Sequence, residues 1–238
     1  MLFVLSDDIE FPNPLLAEPT GLLAIGGDLS VDRLLLAYSM GIFPWFNPDD
    51  DILWWASPYR PIYIPGQIHL SKSLKQSIRK HDFEIRLDTN FEEVIGYCAS
   101  IERNGQEGTW ISKEIIDTYR ILFEMGYLHT VEVYLDSKMV GGLYGVSLGK
   151  AFFGESMFHL MPNTSKVALF ALSEVLKTKG FHFIDSQVTN PHALKMGARE
   201  VTNKVFDTMV KNTMKYDDDI GPWSYNLGSL RQFITPLS

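Results

Sequence analysis

The sequence predicts an α+β protein in which a mixed sheet is preceded by a small irregular N-terminal domain. The first sixty or so residues are dense in Pro, Gly and aromatic residues, and four prolines between positions 44 and 61 exclude a regular helix there. From about residue 64 the pattern becomes regular, in the order strand, two helices, three antiparallel strands, helix, strand, helix. We therefore divide the chain into a small domain, 1–63, and a larger domain, 64–238.

Composition indicates a globular protein of the cytoplasm and excludes several functional classes. The 238 residues are 45% hydrophobic and 21% charged, and no apolar run approaches the ~20 residues of a membrane helix. The N-terminus lacks the basic and apolar regions of a signal peptide, and the single cysteine, Cys98, excludes an intrachain disulfide. A net charge of −8 argues against a general DNA-coating protein, and the six histidines lack the spacing of a metal site. We expect no membrane association, no metal and a reducing compartment.

The N-terminal domain is predicted to contain one helix and a group of aromatic residues. The stretch VDRLLLAYSM is typical of a short helix with Ser30 as its N-cap and Gly41 as its end. Trp45 and two further tryptophans follow. They serve either as the core of this domain or as an aromatic platform for a base or an apolar side chain.

A basic helix is predicted at residues 69–80, where the larger domain begins. Lys72, Lys75 and Arg79 lie on one helical face, with Lys80 beside it. In an acidic chain these residues form a local positive patch, which is either a solvated surface or a contact to phosphates.

The larger domain then alternates strands and helices with recognisable caps and turns. A strand at 83–87 precedes two helices at 90–101 and 112–126, and Ser112 is the N-cap of the second. Hairpin turns at Asp136–Ser137 and Gly149 make the next strands antiparallel. The remaining strands and helices are expected at 129–135, 138–148, 150–158, 164–180, 181–190 and from 191 onward.

This order of elements resembles the acyl-transferase fold of the Gcn5-related N-acetyltransferases, whose fourth and fifth strands splay apart to form a cleft. The corresponding strands here are AFFGESMF and FHFIDSQV. Residues two apart on a strand share a face, so Asp185 and Gln187 are expected side by side, facing one cleft with Glu155. A polar group in an apolar strand needs a partner. The partner of Glu155 is either a buried cation or a cationic ligand, and Asp185 and Gln187 form either a structural pair or a working site.

Motifs along most of the chain carry a more specific resemblance. In order, between about residues 11 and 210, they are GLLAIGGDLS, GIFPWF, ILWW, EGTWI, GGLYGV, FFGESMF, SK.AL and IDSQ. Together they resemble the bacterial leucyl/phenylalanyl-tRNA–protein transferases. The resemblance implies an acetyltransferase-like catalytic domain that transfers Leu or Phe, and Met as a further donor amino acid, from aminoacyl-tRNA. The acceptors are proteins with N-terminal Lys or Arg, which are thereby marked for degradation through the N-degron pathway.

The resemblance also implies roles for individual residues. Asp185 and Gln187 correspond to the family's proposed catalytic pair, and Glu155 corresponds to its cleft glutamate. The residues implied to hold the aminoacyl-adenosine end are Trp45, Trp110 and Tyr119, and those implied to contact the tRNA are Lys72, Lys75, Arg79 and Lys80. A pocket that selects Leu and Phe by shape has three candidate linings: Leu143, which replaces a Met of some members, Phe153 and Met157.

No cofactor is expected, because an aminoacyl ester is already activated and the enzyme's main task is positioning. In the expected arrangement the Gln187 side-chain amide donates to Asp185 and its carbonyl oxygen faces the incoming amine, with a tRNA ribose hydroxyl as the alternative relay. The rival functions are a CoA-dependent N-acyltransferase and a non-catalytic RNA-binding module. The stretch HLMPNTSKVA lacks the glycine turn that holds the CoA pyrophosphate, and an RNA-binding module leaves Glu155, Asp185 and Gln187 without a purpose.

Overall fold

The computed structural model describes residues 2–47, 50–100, 111–223, 227 and 229–234. Within these residues the chain forms a four-stranded sheet, followed by a seven-stranded sheet with helices on both faces. The whole predicted loop at 102–110, including Trp110, lies outside the described residues.

The N-terminal segment contains a sheet that the sequence prediction of an irregular domain missed. Its strands are β1 (Phe3–Leu5), β2 (Leu22–Gly26), β3 (Phe43–Pro44) and β4 (Leu53–Trp55), in the order β1-β2-β4-β3. The strands are short and are separated by Pro and Gly, so their alternation is too brief to be recognised in the sequence. The predicted helix is confirmed as α1 (Val31–Ser39), because the Ser30 hydroxyl caps the Arg33 amide and Gly41 follows with φ +72°.

The seven-stranded sheet is mixed, in the order β11-β5-β10-β9-β8-β7-β6. Its strands are β5 (Tyr59–Tyr63), β6 (Glu84–Leu87), β7 (Leu128–Leu135), β8 (Lys138–Leu148), β9 (Ala151–His159), β10 (Phe183–Asp185) and β11 (Arg199–Thr202). Strands β6 to β9 pair antiparallel in chain order, and β10 pairs parallel to β9. This arrangement confirms the predicted α+β class and acetyltransferase-like sheet. Because β5 already belongs to this sheet, the structural change falls just before the expected boundary at 63/64, and the division into two domains stays a prediction.

Helices cover both faces of this sheet. They are α2 (Lys72–Lys80), α3 (Phe91–Ser100), α4 (Lys113–Glu124), α5 (Thr164–Thr178), α6 (Pro191–Lys195) and α7 (Asn203–Thr213). One buried cluster joins α1, α3, α4 and α7 to one face, and a second joins α2 and α5 to the other. Alternate residues of a strand enter opposite clusters, so Phe153 belongs to the first and Phe152 to the second.

The cleft forms because β9 and β10 pair over only three residues. Phe183, Ile184 and Asp185 pair with Ala151, Phe152 and Phe153, and β9 then continues to His159 without β10 beside it. Gln187 has φ +58°, a left-handed conformation that ends the extended chain. The prediction of a strand that continues through Gln187 is therefore wrong, whereas the predicted splay of the two strands is confirmed.

Strand β9 carries a bulge at Glu155. Tyr144 pairs with Ser156 and Gly145 pairs with Gly154, so Glu155 is the additional residue between two successive pairs. A bulge turns its side chain away from the regular alternation of the strand. This irregularity points Glu155 at the opening between β9 and β10.

The close approach at the bulge requires glycine at position 145, and we expect Gly145→Ala to lower the free energy of unfolding by about 1–3 kcal/mol. A Cβ there would lie 2.3 Å from the Phe153 carbonyl oxygen and 2.5 Å from the Phe152 ring. Urea unfolding measures the effect. The control is Gly96→Ala on the exposed face of α3, where a Cβ meets nothing within 4 Å. This variant should raise the free energy of unfolding by roughly 0.5–1 kcal/mol. Equal effects at both positions would contradict this account of the bulge.

Candidate active site

The site is a cavity of about 950 Å³ at the point where β9 and β10 diverge. Strands β8, β9 and β10, helix α5 and the segment after α1 all contribute to its wall. The main apolar lining residues are Phe43, Leu143, Phe152, Met157, Leu169, Leu172 and Ile184, and the polar lining residues include Glu155, Asp185, Ser186, Gln187 and Asn190. The cavity therefore combines an apolar wall with several hydrogen-bonding groups.

Asp185 forms a buried ion pair with Arg60 of β5. The exposed fractions of the two side chains are 0% and 1%. Arg60 donates through Nε to Asp185 Oδ1 at 3.1 Å and through Nη2 to Oδ2, and its Nη1 donates to the Gly41 carbonyl at 2.7 Å. The guanidinium also lies 4.9 Å from the centre of the Phe43 ring and 4.2 Å from that of Phe206. Asp185 thus joins β10 to β5 and to the segment after α1.

Gln187 reaches Glu155, and not Asp185, with its side chain. The Gln187 backbone amide donates to Asp185 Oδ1 at 2.9 Å, whereas its side-chain Nε2 donates to Glu155 Oε1 at 2.6 Å. The expected side-chain bond from Gln187 to Asp185 is therefore wrong, because the strand ends at Asp185 and the two residues do not share a strand face. The structure brings all three predicted catalytic residues together, and their catalytic roles stay predictions.

Glu155 is held by two buried tyrosines in addition to Gln187. The Tyr38 hydroxyl lies 2.9 Å from Glu155 Oε1, the Tyr119 hydroxyl lies 2.8 Å from Oε2, and the two hydroxyls lie 2.9 Å from each other. Tyr38 comes from α1 and Tyr119 from α4, and both are 0% exposed. Tyr119 therefore lies behind Glu155 and is not among the cavity-lining residues. Tyr38 was missed by the sequence analysis, since no motif links it to a residue 117 positions away.

Burial raises the pKa of Glu155 to about 7, although hydrogen bonds from Tyr119, Tyr38 and Gln187 favour the carboxylate and act in the opposite direction. The negative charge of Asp185 adds to the increase. Burial and the neighbouring Glu155 also raise the pKa values of Tyr38 and Tyr119 well above the usual value. A carboxyl group with a pKa of about 7 can exchange a proton near neutral pH.

The other predicted substrate-binding residues fall into three groups. Leu143 and Met157 line the cavity. Trp45 also lines it, and 39% of this residue is exposed to solvent. Phe153 does not line the cavity; it packs against Tyr38 on the other side of the sheet. The adjacent Phe152 lines the cavity in its place, because alternate residues of β9 point to opposite faces.

The predicted basic helix is confirmed as α2, with Ser71 as its N-cap. Leu74 and Ile78 are buried beneath it, and its cations are exposed or half-buried at the surface. None of them is among the cavity-lining residues.

A second group of basic residues, which the sequence analysis missed, lies at the cavity. His159, Lys166 and His192 line it, and Lys195 follows on α6. Burial lowers the pKa of His192, and the charges of Lys166, His159 and Lys195 lower it further. Lys166 belongs to the motif SK.AL, but the motif alone did not indicate what this side chain contacts.

Neither a membrane span nor a metal site is found among the described residues. No helix in the described ranges is long and apolar enough to cross a membrane. In the same part of the chain, no three His, Cys, Asp or Glu side chains are grouped so that they could hold a metal ion.

The fold and the site together define a class of protein: an acyltransferase-type α+β domain whose cleft between two splayed strands ends at a partly buried glutamate. The model of the family described as leucyl/phenylalanyl-tRNA protein transferase matches residues 62–211, and the model of that family's N-terminal domain matches residues 27–58. The chain belongs to the leucyl/phenylalanyl-tRNA–protein transferase family.

Its relatives span nearly the same length. Proteins named leucyl/phenylalanyl-tRNA–protein transferase from Thermodesulfovibrio yellowstonii, Desulfatibacillum aliphaticivorans and Syntrophus aciditrophicus are 46%, 47% and 49% identical to this chain. The alignments cover 93%, 94% and 91% of this chain and 90%, 96% and 90% of those proteins. Among solved structures, the aminoglycoside N-acetyltransferase AAC(6′)-Iy in complex with CoA has a TM-score of 0.34 at 13% identity, over 70% of this chain and 100% of that chain.

Removing the charge of Asp185 should affect stability far more than removing the Gln187 side chain. Asp185→Asn leaves Arg60 buried without its counter-ion, and we expect a loss of about 3–5 kcal/mol in the free energy of unfolding. Gln187→Ala removes one hydrogen bond at the edge of the cavity and should cost about 1 kcal/mol. Urea unfolding at pH 7 compares the two variants. Equal and small losses would contradict the assignment of Asp185 as a buried structural anion.

The raised pKa of Glu155 predicts that stability falls as the pH rises from about 4.5 to about 7. In this window the folded protein retains a proton that the unfolded chain releases, so the slope of unfolding free energy against pH is negative for this group. Glu155→Gln lacks the titration. The melting temperature of the variant should therefore improve relative to the parent protein as the pH rises through this window. A constant difference between the two proteins would contradict the raised pKa.

Proposed function

We propose that this chain is a cytoplasmic aminoacyltransferase that moves Leu or Phe, and also Met, from aminoacyl-tRNA to the α-amine of proteins with N-terminal Lys or Arg. The product would enter the N-degron pathway. The observation that carries the proposal is the largely apolar cavity lined by the hydrogen-bonded pair Glu155 and Gln187, in a member of this family. The single cysteine supports the cytoplasmic location, because a chain that cannot form an intrachain disulfide is suited to a reducing compartment.

The apolar wall suits the donor amino acid. Leu and Phe have no polar side-chain group, so a site selects them by shape and apolar contact. Leu143, Phe152 and Met157 provide such a surface on the sheet side, and Leu169 and Leu172 provide it on α5. Discrimination by apolar contact is modest, about 1–3 kcal/mol per methylene. The donor has already been charged by a selective synthetase, so modest discrimination is sufficient.

Two groups of cations suit the tRNA. The basic helix α2 offers Lys72, Lys75, Arg79 and Lys80 to the phosphate backbone. Lys166 and His192 lie at the cavity itself, next to the position that the aminoacylated 3′ end must reach. The exposed Trp45 provides an aromatic surface for the terminal base. These features oppose the overall charge of −8 and concentrate positive potential where a polyanion has to enter.

The reaction converts an ester into an amide and requires no added activation. The cavity would hold the donor side chain against its apolar residues, with the ester carbonyl within reach of Glu155 and Gln187. Positioning of the amine against the carbonyl can supply a large share of the rate. The acceptor α-amine has a reference pKa of about 7.7–8.0, so part of it is neutral at pH 7. Acceptors with a positive N-terminal residue are also attracted by an acidic protein.

The proposed function is tested by single-turnover transfer of Phe from charged tRNA to a peptide that begins with Arg. Transfer should require charged tRNA and a free α-amine, so deacylated tRNA and an N-acetylated peptide are the controls. A matched peptide that begins with Glu tests the acceptor preference. No transfer to any free α-amine would contradict the function, whereas equal transfer to the Arg and Glu peptides would contradict only the acceptor preference.

Charge removal on α2 should weaken tRNA binding without changing the amino-acid preference. The variant replaces Lys72, Lys75, Arg79 and Lys80 by Ala, and its binding of leucyl- and phenylalanyl-tRNA should weaken equally. The slope of log K against log salt should flatten by roughly 0.7–0.9 for each phosphate contact that is lost. The control removes four exposed lysines elsewhere: Lys113, Lys204, Lys211 and Lys215. An α2 variant that behaves like this control would make α2 a solvated surface.

A further inference from the structure

Glu155, Tyr38 and Tyr119 make three hydrogen-bond contacts with one another, which is one more than the two tyrosine protons can form. Three oxygen–oxygen distances close a ring: Tyr38 to Glu155 Oε1 at 2.9 Å, Tyr119 to Glu155 Oε2 at 2.8 Å, and Tyr38 to Tyr119 at 2.9 Å. Each contact needs one proton between its oxygens. The two hydroxyls provide two protons. A third proton is required, and the carboxyl group of Glu155 is the only member of the ring that can carry it.

The ring is complete when Glu155 is protonated. Its carboxylic acid then donates to one tyrosine, that tyrosine donates to the other, and the second tyrosine donates back to the free carboxylate oxygen. If Glu155 is ionised, both tyrosines donate to it and the oxygens of Tyr38 and Tyr119 face each other at 2.9 Å without a proton between them. The two hydroxyls are fully buried, so water does not supply the missing proton.

We propose that Glu155 rests as a neutral acid within this ring and that the Glu155–Tyr38–Tyr119 group is the proton shuttle of aminoacyl transfer. The proposal rests on the proposed function of this site. Glu155 is the catalytic residue of the group because it faces the cavity. Tyr38 and Tyr119 are positioning residues that act through it, since neither is among the residues that line the cavity.

The step balances without any added reactant. The neutral acceptor amine attacks the ester carbonyl, a C–N bond forms, and the bond between the carbonyl carbon and the ribose oxygen breaks. The departing ribose oxygen takes the proton of Glu155. The resulting carboxylate takes a proton from the amine nitrogen, so Glu155 is neutral again when the amide has formed. During the step the Gln187 side-chain amide, whose Nε2 lies 2.6 Å from Glu155 Oε1, stabilises the transient carboxylate.

The groups around the ring favour the neutral acid. Asp185 of β10 is negative and raises the pKa of Glu155, but its charge is compensated by Arg60 of β5. Burial has the largest effect in the same direction, and the hydrogen bonds from Tyr119, Tyr38 and Gln187 oppose it. Tyr144 of β8 is a further titratable group at this position, and its ring lies 5.8 Å from that of Tyr119, centroid to centroid. The geometry and the charges therefore agree on the protonation state.

The resting state is tested by infrared spectroscopy on the protein without substrates. The difference between the parent protein and Glu155→Gln should show the carbonyl band of a protonated carboxylic acid at pH 6, and the band should disappear as the pH rises past about 7. Tyr38→Phe should shift this band, because the ring is opened. The exposed Tyr59 offers a matched control, and Tyr59→Phe should leave the band unchanged.

Transfer kinetics test the shuttle itself. Tyr38→Phe should lower the single-turnover rate at least about ten-fold with an unchanged KM for the acceptor, whereas Tyr59→Phe should be normal. A parent protein that transfers Phe but has no carboxylic-acid band at pH 6, or a Tyr38→Phe variant with a normal rate, overturns the shuttle and leaves the proposed function standing. A parent protein that transfers nothing overturns the proposed function, whatever its infrared spectrum shows.

Discussion

The geometry of the cleft depends on the buried ion pair between Arg60 and Asp185. Neither charge is stable in this position without the other, because an unpaired buried ion costs several kcal/mol. Arg60 also binds the Gly41 carbonyl and lies against the rings of Phe43 and Phe206. One side chain therefore joins the segment after α1, strand β5, strand β10 and helix α7. Asp185 is the last residue of β10, and its carboxylate also accepts a hydrogen bond from the Gln187 backbone amide.

Two independent irregularities meet at this point. The left-handed residue Gln187 turns the chain away from β9, and the bulge at Glu155 turns a carboxyl group toward the space that opens. Their side chains then bond to each other at 2.6 Å. Strain and bulges of this type are often found at functional sites, where the surrounding structure holds them in place. The pair Arg60–Asp185 on one side and the Tyr38–Tyr119 pair on the other provide that support.

The sequence predicted the repeating features of this protein well and its irregular ones poorly. The hairpin turns at Asp136–Ser137 and Gly149 identified β7, β8 and β9, and local caps such as Ser30 and Ser112 identified helix starts, because these signals lie within a few residues. The end of β10 was missed, because Val188 continues an apolar pattern and the ion pair that stops the strand joins residues 125 positions apart. The sequence placed Phe153 in the cavity where the structure has Phe152. The face of the sheet to which a strand residue points depends on the strand's register, which the sequence alone does not show. Tyr38 and Arg60 have partners that only the folded chain brings to them.

The most direct test of the account is the single-turnover rate of a double variant, Arg60→Met with Asp185→Leu. This replacement removes both buried charges together, which in other proteins is neutral or stabilising. If the ion pair sets the geometry of the site, this variant should fold and transfer Phe roughly 100-fold more slowly, because the Gln187 backbone amide has lost the acceptor that positions it. A double variant that folds and transfers Phe at the parent rate would contradict the claim that this ion pair sets the geometry of the site.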